Sequence, residues 1–216
     1  MLGTSSQRPD RFRMPTVTPF FHAPTGTWSY VVTDPSGRQA AVIDPVLDYD
    51  WRSARTGTAS AQAILDHLKA AGLELAWILE THAHADHLSS AAWLQSQAGG
   101  KLAIGRGILA VQATFKRIFG LGDEFVPDGR QFDRLLADGD ALALGALEGR
   151  VIATPGHTSD SVSYLFGDAL FVGDTVFMPD SGSARCDFPG GDAAELYRSV
   201  QRLYGLPPAT RAASAS

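Results

Sequence analysis

The run His82-Ala83-His84-Ala85-Asp86-His87 packs four metal-ligating side chains into six residues. Imidazole and carboxylate are the donors of zinc, iron and manganese centres. Solvated loop histidines near a helix start would be the plain alternative. A chain with six histidines in all rarely gathers three of them in one loop by accident. His157 sits in Thr154-Pro155-Gly156-His157-Thr158, where proline fixes φ and glycine permits close approach, so the loop can aim one imidazole inward. Alone it would read as a satisfied core histidine. Asp174, in Gly173-Asp174-Thr175, would alone read as a cap or turn residue. Each segment follows a strand-like run, and three strand ends on one rim of a sheet can converge on a single metal.

The elements that must do this positioning are legible in outline. Thr16–Phe20, Trp28–Thr33 and Gln39–Ile43 read as strands, with Asp34-Pro35-Ser36-Gly37 as turn chemistry and a polar loop running on to about Ser60. Ala61, Ile64, Leu65 and Leu68 recur at helical spacing before Gly72. Leu75–Leu79 reads as a buried strand that delivers Glu80-Thr81-His82. Leu88–Ala98 and Ile108–Phe119 read as helices around a short strand at Leu102–Ile104. Arg150–Ala153 ends at the His157 loop, and Gly167-Asp168 joins Val162–Phe166 to Ala169–Val172 as a hairpin. Asp192 and Glu195 resemble a capping box ahead of Leu196, Val200 and Leu203. Strands interleaved with helices in this order predict a mixed α/β sandwich. The expected organisation is a flexible segment over residues 1–14, one domain over 15–208, and a disordered tail over 209–216.

Bulk properties narrow the function classes. A net charge of −5 with no basic stripe argues against nucleic acid as a partner. No stretch approaches the ~20 apolar residues of a membrane span, so no membrane partner is expected. The first fifteen residues hold three arginines but no apolar core of a secretory leader. A single cysteine, Cys186, allows no internal disulfide and fits a reducing compartment, so the expected location is cytoplasmic. Cys186 itself reads as packing, His22 and His67 as structural, and Asp44 as equally a turn residue or part of the site.

Taken together, T-H-A-H-A-D-H, T-P-G-H-T and F-V-G-D-T resemble the metal-ligand motifs of the metallo-β-lactamase superfamily, in their usual order. Phe177-Met178-Pro179-Asp180, Ala184–Asp192 and Leu196–Ser199 further resemble its persulfide dioxygenase group and the bacterial relatives of that group. The resemblance covers about Pro15 to Pro208. It implies the αββα sandwich of that superfamily, and one ferrous iron, Fe(II), held by His82, His157 and Asp174. Zn(II) is the alternative ion. His84, Asp86 and His87 would then support those ligands or line a second metal position. Asp86, His87 and Arg185 become the candidate catalytic residues. Arg185 would hold an anionic substrate through its guanidinium, unless it only pairs with Asp187.

Members of that group continue past the Leu-Pro segment into a strand with a His-Asp-Tyr motif and further helices, where this chain reads Leu206–Ser216. The expectation is therefore a fold lacking its C-terminal strand and helices. The resemblance implies oxidation of glutathione persulfide to sulfite with molecular oxygen, in sulfide detoxification. A thioester hydrolase of the glyoxalase II kind is the alternative, and a truncated, non-catalytic metal-binding remnant is a third reading. The implied partner is a small thiol or persulfide, and self-association as a homodimer is left open.

Overall fold

The computed structural model describes residues 14–215, so the flexible segment expected over residues 1–14 falls almost wholly outside it. In chain order the elements begin with β1 (Thr16–His22), β2 (Thr27–Thr33), β3 (Gln39–Ile43), β4 (Val46–Asp50), β5 (Arg55–Gly57) and α1 (Ala59–Ala70). Next come β6 (Glu74–Leu79), β7 (Leu88–Ser89), α2 (Ala91–Ala98), β8 (Lys101–Gly105), α3 (Ile108–Ile118) and β9 (Arg134–Leu136). The last are β10 (Ala141–Leu144), β11 (Leu147–Ala153), β12 (Val162–Phe166), β13 (Ala169–Gly173), α4 (Ala193–Tyr204) and β14 (Arg211–Ser214). One sheet runs β1-β2-β3-β6-β8-β9, a second β10-β11-β12-β13-β14, and β5-β4-β7 form a small antiparallel ribbon.

Side-chain alternation along the strands builds the layers. In β3, Ala41 and Ile43 join the core between the two large sheets, while Ala40 and Val42 face the helices on the other side. The inter-sheet core is filled by Trp77 and Leu79 from one sheet and by Tyr164, Phe166 and Phe171 from the other. Ile64, Leu65 and Leu68 of α1 and Leu94 of α2 cover the first sheet. Leu203 of α4 packs on Ile152, Leu170 and Val172 of the second. The order is helix, sheet, sheet, helix, as expected. No helix among the described residues is long and apolar enough to cross a membrane.

Three local expectations are corrected. The loop expected up to Ser60 contains β4 and β5, because the Asp50 carboxylate accepts from Arg52 N (3.0 Å) and Ser53 Oγ (2.6 Å) and folds the chain back on itself. The helix expected from Leu88 starts at Ala91, since Leu88 and Ser89 pair with Leu47 and Val46. The tail expected to be disordered supplies β14, parallel to β13, so a C-terminal strand expected to be missing is present, though without the His-Asp-Tyr motif. Backbone pairing needs no apolar side chain, and two further contacts fasten the segment. Arg211 makes a two-pronged ion pair with Asp168 (2.6 and 3.0 Å), and Tyr30 Oη donates to Ser214 O at 2.6 Å. Burial, reinforced by Asp44, pushes the Tyr30 hydroxyl up to about 12, so it remains a donor throughout the physiological range.

The Arg211 and Ala215 amides donate to Asp168 O and Gly173 O. Hydrogen exchange followed by mass spectrometry is expected to show protection across residues 211–215 that falls in Tyr30→Phe. Exchange at the rate of an unstructured peptide would contradict β14.

Candidate metal centre

Parallel strands β3 and β6 end side by side, and Asp44 and Glu80-Thr81-His82 leave from those ends. Thr81 donates twice to Asp44, from its N–H to Oδ1 (2.7 Å) and from Oγ1 to Oδ2 (2.8 Å). A hydroxyl has one proton, so Thr81 Oγ1 can only accept from His82 Nδ1, 3.0 Å away. His82 is thereby held with its proton on Nδ1 and a lone pair on Nε2. The same logic fixes His157, whose Nδ1 lies 2.7 Å from the main-chain carbonyl of Arg185, a group that only accepts. Both Nε2 atoms lie 3.8 Å from Asp174 Oδ2.

Two imidazole lone pairs and a carboxylate oxygen thus converge, and His82 Nε2 is buried without a hydrogen-bond partner. Burial, with His84, His157 and His87 adding to it, holds His82 well below the ordinary imidazole range, so it is neutral as a ligand must be. Burial pushes the Asp174 carboxyl up, while His84 and His157 oppose that shift. A cation at this point would relieve the repulsion among all three. The donor set therefore fits a metal ion.

Two glycines make the convergence sterically accessible. Gly173 has φ +52°, and a Cβ there would lie 2.4 Å from Thr81 Oγ1. Gly156 has φ +140°, and a Cβ there would strike the Leu196 backbone of α4 at 2.3 Å. Asp192, the N-cap of α4, accepts from the Ala194 and Glu195 amides, so the helix start that receives this loop is itself fixed.

His84, Asp86 and His87 form a second group of donors within ligand distance of one another. His87 is buried, its Nδ1 meets Leu88 O at 3.1 Å, and its Nε2 has no hydrogen-bond partner. His84 Nε2 is 3.1 Å from Asp44 Oδ1 and 3.3 Å from Glu80 Oε2. Burial alone would lower His84, but Asp44 and Glu80 outweigh it and hold the imidazole well above its ordinary range. Asp44 is thus part of the site rather than only a turn residue. Arg185 lies at the cavity wall, but its exposed guanidinium pairs with Asp187 (2.5 and 2.6 Å) and stacks 4.9 Å from the Phe188 ring. Its contribution to the metal geometry is its carbonyl.

Sequence reasoning passed over Thr81, Glu80 and Asp160. Asp160 is buried and accepts from Ala83 N at 2.8 Å, tying the His157 loop to the His82 loop. Burial raises its carboxyl. Its only signal in the sequence is an acid three residues after His157. A cavity of about 540 Å³ opens over the first donor set, lined by Thr25, Ala85, Asp86, His157, Asp174, Phe177, Ala184, Arg185 and Phe188.

Fold and donor set define a candidate metal centre of the metallo-β-lactamase kind. The family model of the metallo-beta-lactamase superfamily matches residues 22–214, and the chain belongs to that superfamily. It is 52% identical over 206 residues to a probable metallo-hydrolase of Burkholderia pseudomallei, covering 91% of this chain and 70% of the relative. It is 45% identical over 185 residues to glyoxylase B2 of Dictyostelium discoideum, covering 85% and 63%. Human mitochondrial persulfide dioxygenase ETHE1 is 31% identical over 184 residues, covering 84% and 60%. The chain spans 46% of the length of a beta-lactamase hydrolase-like protein of Xylella fastidiosa, 48% identical over 91% of this chain. Among solved structures, ETHE1 from Myxococcus xanthus superposes with a TM-score of 0.73 at 29% identity, covering 93% of this chain and 75% of that one. A di-iron-bound form of TTHA1623 gives 0.67 at 27% identity, covering 92% and 91%.

Thr81→Val keeps side-chain shape but removes the acceptor of His82 Nδ1–H and the donor to Asp44. Metal affinity, read by competition with a chromophoric chelator, is expected to weaken by roughly 10–100-fold. Unchanged affinity would contradict the tautomer assignment.

Proposed function

We propose that this chain is a metal-dependent hydrolase acting on a thioester of a small thiol. The observation that carries the reading is the pair of donor clusters, His82/His157/Asp174 and His84/Asp86/His87, built from the loop after β6, the loop between β11 and β12, and the end of β13. Two adjacent cations are the arrangement of many metallo-hydrolases. Bound there, they would polarise a carbonyl and lower the pKa of a water. The similarity to proteins named metallo-hydrolase and glyoxylase B2, at 52% and 45% identity, supports the reading. So does the likeness to a di-iron-bound protein.

The chain's own residues supply the rest. Phe177 and Phe188 give the cavity an apolar wall for the acyl or thiol chain, and Asp86 provides an acceptor on its rim. Arg185 is 66% exposed at the side chain and already paired with Asp187. An anionic substrate tail would therefore exchange with Asp187 for the guanidinium rather than meet an unpaired charge.

A second reading is a mononuclear iron persulfide dioxygenase acting on glutathione persulfide. The specific observation in its favour is the His82/His157/Asp174 triad, since two histidines and one carboxylate are the donor set of non-haem iron oxygenases. Iron in that triad would supply dioxygen activation. The 31% identity to human persulfide dioxygenase adds support.

One experiment separates the two readings. Protein purified without oxygen is analysed for bound metal, then offered a glutathione thioester and, separately, glutathione persulfide with oxygen. The hydrolase reading expects two ions per chain and oxygen-independent thioester cleavage. His87→Ala should reduce that cleavage at least 100-fold, because it removes a ligand of the second ion. One iron per chain, with persulfide-dependent oxygen uptake that survives His87→Ala, would overturn it in favour of the dioxygenase.

A further inference from the structure

His22 closes β1 and faces Thr27 across the turn that begins β2. It is buried, and both ring nitrogens are engaged. Nε2 is 3.4 Å from Asp48 Oδ1, and Nδ1 is 2.7 Å from Thr25 Oγ1. The contacts continue beyond the hairpin. Thr25 Oγ1 donates to Thr27 Oγ1 at 2.9 Å, and Thr27 Oγ1 donates to Asp86 Oδ2 at 3.2 Å. Thr27 is completely buried, and Thr25 and Asp86 both line the cavity. A side chain outside the ligand loop is therefore wired to that loop through two hydroxyl groups.

The chain has a direction. A carboxylate only accepts, and each threonine hydroxyl carries one proton. Thr27 gives its proton to Asp86 and Thr25 gives its proton to Thr27, which leaves His22 Nδ1–H as the donor to Thr25. At the far end Asp48 is itself anchored, accepting from Ser60 N (2.9 Å) and Ser60 Oγ (2.7 Å) at the start of α1.

We propose that His22 is a positioning residue for Asp86, acting through Thr25 and Thr27. The chain occupies one oxygen of the Asp86 carboxylate and leaves the other for the cavity rim and the His84–His87 cluster. It also turns the one Thr25 proton away from the cavity, so that Thr25 can offer bound substrate an acceptor but not a donor. The kinetic part of this inference rests on the hydrolase reading; the hydrogen-bond direction does not.

The test has two arms, both on the full chain loaded with zinc. In the first, long-range proton–nitrogen correlation spectra of 15N-histidine-labelled protein read the His22 ring, assigned by its loss in His22→Asn. A proton on Nδ1 is expected. An unprotonated Nδ1 would overturn the proposal, since Thr25 would then give its one proton to His22 and have none for Thr27. In the second, Thr27→Val, of nearly equal shape, is expected to lower kcat for the glutathione thioester about tenfold with KM within about twofold, as befits one hydrogen bond to a charged group. Thr27→Ser is expected to restore kcat to within about twofold. Val and Ser variants that behave alike, either both impaired or both as wild type, would overturn the proposal. If the protein cleaves no thioester, the hydrolase reading fails and the spectra alone decide the role of His22.

Discussion

The site depends on one buried carboxylate. Asp44 receives the Thr81 N–H, the Thr81 hydroxyl and His84 Nε2, and these three bonds orient the loop that carries four of the donors. To do so it adopts φ +48°, a left-handed conformation that non-glycine residues enter at a cost of about 1 kcal/mol or more. The backbone around it offsets that cost. Asp44 N donates to Leu79 O at 3.0 Å, and its carbonyl accepts from Ser29 Oγ at 2.6 Å. A buried acid in a strained conformation, fully engaged with the next strand end, keeps its place because every neighbour needs it there. Without it, Thr81 would lose its acceptor and His82 its fixed tautomer.

The second constraint is repulsion. Nature could satisfy two lone pairs and a carboxylate with protons, but the burial of His82 opposes that solution. What remains is a position shaped for a positive ion. His84, whose Nε2 is tied to Asp44 and Glu80, lies just behind it and links this position to the second cluster. Whether one or two ions work here separates oxygen chemistry from hydrolysis, and both reactions would use the same cavity and the same phenylalanine wall.

The candidate metal donors were legible in the sequence because imidazole and carboxylate side chains are scarce, chemically specific and placed at strand ends. The layered fold was legible because apolar residues alternate along β3 and recur at helical spacing in α1. Other features carried no such signal. Strand β14 is made of Arg211, Ala212, Ala213 and Ser214, whose composition reads as a tail, and it is ordered by a ladder to β13, with only Ala213 packed against the inter-sheet core. Arg185 orients His157 through a main-chain carbonyl, which any residue possesses. His22 reaches Asp86 only once the β1–β2 turn and the ligand loop are brought together across 59 residues, from Thr27 to Asp86.

The central claim is that His82, His157 and Asp174 hold a metal ion, and X-ray absorption on protein carrying one equivalent of zinc tests it most directly. The account predicts two imidazole nitrogens at about 2.0–2.1 Å and a carboxylate oxygen at about 2.0–2.2 Å, with one imidazole lost in His82→Ala. A coordination shell of oxygen alone, or one unchanged by His82→Ala, would contradict it.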